Sequence, residues 1–345
     1  MVFSIDTVNN RKNKSSLLEE KFDFDISFFS EALEMITDEN YTFFKELNWI
    51  DEESLEEGIV ANLVINGVKM FDFNTFISKL LDWFINCIGK LSGSFNAFML
   101  NFINDDAELR IYKSKLQNFR LPIIYNKPYY DYRNLGVSSE TTLRFKEDIE
   151  GELNDFTGTF NNPAIDSAQS LLTVLESAYN DKKDIETKLG EIRGELCGQN
   201  NNIGEDSFAS ELFNYYRTTT EPNNPNMNEV EIPGNRVALA VKDFYTSGKQ
   251  QAIVKREQWK FRAEATSAKA KVRTYNPFKG SNLDINSEVL ANYNKYASLI
   301  CTRIQKICNL YILAFSSKLD AIKEYNKLNK EILLIACKLI AKEKL

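Results

Sequence analysis

Basic side chains interleaved with aromatic residues lie between Lys249 and Lys279. Only Glu257 and Glu264 oppose them in that stretch, so its local charge is strongly positive. Clustered lysine and arginine form the electrostatic footprint of a surface that binds nucleic acid or phosphate. We therefore predict that 249–279 is a basic helix with a candidate contact face, formed by Lys255, Arg256, Lys260, Arg262, Lys269, Lys271 and Arg273.

An acidic segment of the same chain offers a second explanation for that positive charge. Between Ser15 and Glu57 there are fourteen acidic residues and two basic ones, and the net charge of the whole chain is −7. The segment also has apolar residues at roughly helical spacing, which indicates helices with one acidic face. That face could dock on a basic surface of the same chain or of a partner, or it could be solvated.

The residues that most enzymes need are missing from this sequence. It contains no histidine, which removes the usual general base, the imidazole metal ligand and the Ser-His and Cys-His nucleophiles. Phosphate-binding glycine loops and nucleophile motifs are absent too. We expect no enzymatic activity, no cofactor and no metal site.

The cysteines fit the interior of a protein made in a reducing cytoplasm. There are five, an odd number, and none forms a C-x-x-C pair. Free buried thiols are the ordinary state of such residues. The N-terminus is not typical of a signal peptide, because it becomes polar at Asn9 to Lys14.

A segment rich in tyrosine and proline interrupts the helical pattern at 121–137. Pro122 and Pro128 hold the backbone extended, and we predict a strap there. Tyrosine clusters of this kind are enriched at protein interfaces, although a strap packed over its own helical body would also explain them. The candidate interface residues are Tyr125, Tyr129, Tyr130 and Tyr132.

The most hydrophobic stretch of the chain is 75–104, which we predict to be a core helix with Asn74 as its N-cap. Charged and polar residues such as Lys79, Asp82 and Lys90 interrupt it, so an integral membrane span is not expected. A helix that perturbs membranes or forms pores through this stretch remains an alternative. For 52–66 we favour a helix over a hairpin turning at Asn66 and Gly67.

The C-terminal stretch from Ser281 to Leu345 has neither glycine nor proline and predicts one very long amphipathic helix. Asn286 or Ser287 is a suitable N-cap. The apolar line follows a coiled-coil spacing, fails at Lys318 and restarts from Phe315, so the buried face rotates. Two helices with a reversal near Ser316 and Ser317 are the alternative. The predicted seam consists of Leu290, Tyr293, Ile300, Ile304, Ile307, Tyr311, Leu319 and Ile322.

These elements predict an all-α fold, an elongated multi-helix bundle with a coiled-coil-like C-terminal helix. We divide it into an acidic and aromatic helical domain over 1–120, the strap over 121–137 and an elongated helical domain over 138–345. Loops are expected at 199–206 and 220–234.

In composition and style the chain resembles virion structural proteins of large tailed bacteriophages. The resemblance rests on residues that AT-rich genomes favour, on Asp82-Trp83-Phe84, on Tyr129 to Leu135 and on Asp320 to Leu328. It implies a non-enzymatic structural or assembly protein of the particle, internal to the head or packaged. The expected partners are other virion proteins, further copies of this chain and DNA.

Overall fold

The protein is described by a computed structural model over 64–65, 68–104, 107–133, 135, 139–179, 182–196, 212, 215–220, 229–246, 248–281 and 283–343. The acidic segment 15–57 and the predicted loop 199–206 lie outside these residues. The helices are α1 (Phe73–Asn104), α2 (Ala107–Ile111), α3 (Lys113–Gln117), α4 (Ser139–Phe160), α5 (Ala168–Tyr179), α6 (Lys182–Leu196), α7 (Gly234–Tyr245), α8 (Gly248–Arg273) and α9 (Ser287–Glu343). The strands are β1 (Val64–Ile65), β2 (Val68–Lys69), β3 (Ile123–Tyr125), β4 (Tyr129–Tyr132), β5 (Arg217–Thr220) and β6 (Val230–Ile232).

Helix α9 is a single unbroken helix of 57 residues, which confirms the predicted long C-terminal helix. At about 1.5 Å per residue it is on the order of 85 Å long. Its N-terminus is capped by Asn286, whose side-chain oxygen accepts the backbone N–H of Val289 at 3.0 Å. The alternative reversal is wrong, because Ser316 and Ser317 lie inside the helix and are buried.

Two clusters of buried apolar side chains pack along α9. The first surrounds its N-terminal and central parts with residues of α1, α4, α5, α6 and α8, and the second surrounds its C-terminal part with residues of α1, α2, α3, α7, β3, β4 and β6. In the first cluster the rings of Phe84 and Phe145 stack with centroids 4.2 Å apart. Helix α9 is therefore the shared core of the described chain.

The predicted apolar stretch 75–104 lies within α1 and packs against α8 and α9. The helix begins at Phe73, and Asp72 takes the capping role predicted for Asn74, because its carboxylate accepts the N–H of Thr75 at 3.0 Å. Asn74 instead donates to the carbonyl of Tyr275. Among the helices that the structure describes, none is long and apolar enough to cross a membrane.

The helix favoured for 52–66 is wrong at its C-terminal end. Residues Val64 and Ile65 pair antiparallel with Lys69 and Val68, so β1 and β2 form the hairpin that was the alternative. An Asn-Gly pair between β-branched residues favours such a reversal more strongly than it favours a helix end. The rest of the predicted helix, 52–63, lies outside the described residues.

The strap is extended, as its prolines predict, and each of its two strands has a partner far along the chain. Strand β3 pairs with β6, and β4 pairs with β5, both antiparallel. The prediction of a loop over 220–234 is therefore wrong at its ends, which belong to β5, β6 and the start of α7. The extended strap leaves backbone N–H and C=O groups unpaired, and these flanking strands satisfy them.

The predicted boundary near residue 120 does not separate two cores in the described part of the chain. Residues of α1 lie in the first cluster with α4 and α8, and residues of α2 and α3 lie in the second with α7. Both sides of the strap thus contribute to the packing around α9.

Candidate nucleic-acid interface

The inner face of α8 anchors it to the protein body. Val254, Phe261, Ala265, Ala268 and Val272 are buried at helical spacing, and the helix packs against α1 and α4. Its small buried residues allow close approach to these neighbours. With one face anchored and both flanks covered, α8 can present only one face to a partner.

One carboxylate of α8 points into the core rather than toward solvent. Glu257 is buried and forms an ion pair with the buried ammonium of Lys318 on α9, with Oε2 and Nζ 2.9 Å apart. Burial raises the pKa of the Glu257 carboxyl, and the adjacent Lys318 charge opposes that rise. This pair explains why Lys318 breaks the predicted seam, and it removes one of the two acidic residues of the helix from the surface.

The outer face of α8 carries positive charge and no carboxylate. Its exposed charged residues are Lys249 in the first turn and Lys255, Arg256, Arg262 and Arg273 further along, and the other acidic residue of the helix, Glu264, is only half-exposed. None of these five cations forms an ion pair with any described carboxylate. We call Lys255, Arg256, Trp259, Arg262 and Arg273 the basic face.

Trp259 stands near the middle of the basic face with 58% of its surface exposed. The guanidinium of Arg262 lies over its ring, 5.7 Å from the ring centre. Lys255 and Arg256 precede it by about one helical turn, and Arg262 follows it by about one turn, so cations lie on both sides of the ring.

Apart from Lys249, the remaining exposed positions of the outer face are small. They bear no side chain that would keep a partner at a distance, and they are Ala252, Ala263, Thr266, Ser267 and Ala270. A chain-like ligand could therefore lie along the helix in close contact with it.

Three of the seven predicted contact residues are not fully on this face. Lys260 is half-buried at its edge. Lys269 pairs with Asp82 of α1, and Lys271 pairs with Glu150 of α4 at 3.5 Å and with Asn154 at 3.1 Å. These two lysines hold α8 on its neighbours. The predicted basic helix is also too long, since α8 ends at Arg273 and residues 276–279 form a turn.

The predicted interface tyrosines contact the protein's own helices. The hydroxyl of Tyr125 donates to Glu331 at 2.6 Å and that of Tyr132 donates to Glu324 at 2.9 Å, both on α9. The Tyr129 hydroxyl accepts from Arg236 of α7 at 3.0 Å. The strap is therefore packed over its own helices beside the second cluster. This was the alternative explanation of its many tyrosines.

Arg217 of β5 also links the strap to α9. It is buried, forms an ion pair with Glu324 at 2.9 Å and lies 4.4 Å from the ring centre of Tyr130. Burial raises the pKa of the Tyr125 and Tyr132 hydroxyls, and the neighbouring Glu331 and Glu324 carboxylates raise it further. Both hydroxyls are thus held as hydrogen-bond donors to carboxylates.

A solvent-open cavity of about 310 Å³ lies beside β4. Inside it the Tyr325 hydroxyl donates to the Asp243 carboxylate. Its walls are formed by Tyr132, Arg133, Leu135, Asp243, Thr246, Lys249, Gln250 and Tyr325.

All eight predicted seam residues are buried in the core of their own chain, from Leu290 to Ile322. The seam is consequently not a surface on which a second copy could pair. Four of the five cysteines, Cys87, Cys301, Cys308 and Cys337, are free and buried, as predicted, and Cys197 lies outside the described residues. Within the part of the chain that the structure describes, no group of three or more Cys, Asp or Glu residues is placed to hold a metal ion.

Comparisons of the chain with protein-family models, with curated protein sequences and with solved structures found no match. The geometry of the chain's own residues is therefore what supports a function.

Proposed function

We propose that this protein is a non-enzymatic structural and assembly protein of a bacteriophage particle, internal to the head or packaged, and that its basic face holds nucleic acid. The observation that carries the proposal is the outer face of α8, where Lys255, Arg256, Arg262 and Arg273 are exposed and no carboxylate is. Contacts from such cations to phosphates release counterions and so supply binding free energy at any base sequence.

The placement of these cations on a helix favours contact with an extended polyanion. Lys255 and Arg273 are eighteen residues apart, which is about 27 Å along a helix that rises about 1.5 Å per residue. The basic face therefore covers a length over which several successive phosphates of one strand could be contacted.

The resemblance to phage virion proteins supports placement in a particle. A mostly helical body built around one long buried helix suits a structural role, and the polar groups of the strap hold it against its own chain. We do not extend the proposal to membrane activity through 75–104, because the large apolar residues of α1 that would insert, such as Phe76, Leu80 and Phe84, are buried in the core.

DNA binding by the purified full-length chain tests the contact. We expect a short fluorescent DNA to bind with a slope of log K against log salt of about −3 to −4, as four phosphate contacts would give. A variant in which Lys255, Arg256, Arg262 and Arg273 are changed to glutamate should lose this binding at every salt concentration.

The matched control reverses four exposed lysines elsewhere, Lys242, Lys306, Lys338 and Lys342. This control undergoes the same change of net charge, so equal loss in both variants would mean that overall charge, not the basic face, governs binding. Failure of the unaltered chain to bind DNA at low salt would overturn the proposed contact and favour docking of the acidic segment 15–57 on the basic face.

Placement in the particle has its own test. Mass spectrometry of purified phage particles should find this chain among the virion proteins. Its presence only in the lysate and never in particles would overturn the structural role.

A further inference from the structure

We infer that the basic face takes single-stranded nucleic acid in preference to a duplex, by stacking a base on Trp259 between two sets of phosphate-binding cations. This inference rests on the proposed function and specifies its ligand. It follows from three features of α8: the exposure of Trp259, the cations on both sides of that ring and the way in which neighbouring helices cover the flanks of α8.

The first feature is an indole that belongs to neither cluster of buried apolar side chains. Trp259 is 58% exposed, whereas the apolar residues of the inner face, Val254 and Phe261, are 1% exposed. The ring contact that the structure gives it is with Arg262. An exposed indole next to a guanidinium provides a flat surface on which a base can stack.

The second feature is the order of charges along the helix. Lys255 and Arg256 lie one turn before Trp259, and Arg262 lies one turn after it. A base that stacks on the ring would have its flanking phosphates directed toward cations on both sides. This is the combination of stacking and backbone contact that proteins use to bind single strands.

The third feature is the width of the surrounding structure. A helix with its side chains is about 10–12 Å across, close to the roughly 12 Å width of the major groove. Helix α8 is packed against α1 and α4, and Lys269 and Lys271 tie it to Asp82 and Glu150. The combined surface is too broad to enter the groove, so a duplex can offer this face only its backbone.

Base faces are accessible in a single strand and hidden in a duplex. In a duplex each base is stacked between its neighbours, and exposing one costs a few kcal/mol. Trp259 therefore adds to the binding of a single strand and contributes little to that of a duplex.

The test compares one labelled DNA sequence as a single strand and as a duplex, bound to the full-length protein, to Trp259→Ala and to Trp259→Phe. We expect tighter binding of the single strand by the unaltered protein. Trp259→Ala should weaken single-strand binding about 5- to 100-fold, the range seen when a stacking ring is removed. Trp259→Phe should restore most of that loss.

The salt dependence separates stacking from charge. Because Trp259→Ala removes no cation, the slope of log K against log salt should stay unchanged, and duplex binding should change less than twofold. Leu239→Ala, which removes another exposed apolar side chain on α7, serves as the control and should affect neither ligand. The exposed positions of Trp259 and Leu239 leave the fold of both variants intact, which thermal unfolding verifies.

Different results would contradict the stacking of a base on Trp259 and the binding of nucleic acid by the basic face. Equal affinity for both strand forms, or equal loss of both in Trp259→Ala, would overturn the stacking inference while leaving the basic face as a phosphate-binding surface. Absence of binding to either form would overturn the proposed function itself.

Discussion

At the scale of single residues, Gly234 shows how close the backbone segments of this fold approach one another. It begins α7 one residue after the end of β6, and the pairing of β6 with β3 brings it beside Arg120. A Cβ atom at Gly234 would lie 2.1 Å from the carbonyl oxygen of Arg120. Only glycine fits there, because the obstructing atom belongs to a backbone that two strands hold in place.

Gly234→Ala should lower the free energy of unfolding by about 1–3 kcal/mol, the usual cost of overpacking. Urea denaturation followed by circular dichroism measures this change.

Gly93→Ala is the matched control. Gly93 lies inside α1 with no atom within 4 Å of the added Cβ, so alanine there should raise the stability by about 0.5–1 kcal/mol. If both substitutions stabilised the protein, the close approach at Arg120 would be wrong.

At the scale of elements, the joint between α8 and α9 depends on a buried ion pair. Lys318 and Glu257 each have 4% of their side-chain surface exposed, and the pair interrupts an otherwise apolar contact. Desolvation makes such a pair a weak source of net stability, but removing one partner leaves a charge buried without compensation. The contact between α8 and α9 therefore tolerates the loss of both charges better than the loss of one.

Lys318→Met should destabilise the protein by about 3–5 kcal/mol, because Glu257 is left alone in the core. The double variant Lys318→Met, Glu257→Met should recover most of that loss. A double-mutant cycle of unfolding free energies measures the coupling.

Lys127→Met provides the comparison at the surface. The Lys127–Glu331 pair is 2.8 Å long but 63% and 41% exposed, and we expect a loss below about 1 kcal/mol. Equal losses for Lys127→Met and Lys318→Met would contradict the burial of the α8–α9 joint.

At the scale of the whole molecule, α9 joins the two clusters into one body. Its central part, from Ile300 to Lys323, is almost entirely buried, while Ala341 and Lys342 near its C-terminal end are exposed. Stability should follow this gradient, because local opening of a buried segment requires the neighbouring helices to separate.

Hydrogen exchange should report that gradient directly. We expect the amides of 304–322 to exchange only through global unfolding, with a urea dependence equal to that of the whole protein. Amides of 338–343 should exchange faster, through fraying of the helix end. Exchange of 304–322 that is independent of urea would contradict the central position of α9.

The local sequence determined much of the fold. The absence of glycine and proline after Ser281 and the spacing of apolar residues were enough to predict α9, because helix formation depends on neighbours three and four residues apart. The same short-range signals predicted the helical class and the extended strap. The clustering of lysine and arginine over 249–279 also located the four cations of the basic face. It did not distinguish them from Lys269 and Lys271, which form ion pairs within the chain.

Only the tertiary structure decided which side chains face outward. Glu257 meets Lys318, Lys269 meets Asp82 and Tyr125 meets Glu331, in each case across dozens to hundreds of residues of sequence. Helical spacing identifies the sides of a helix but not the element that covers each side. The seam has a coiled-coil spacing, but its residues are buried against other helices of the same chain. The misfit at Lys318 is explained by its ion pair with Glu257. Trp259 is exposed among cations because α1, α4 and α9 cover the other sides of α8. Helical spacing alone does not show this covering.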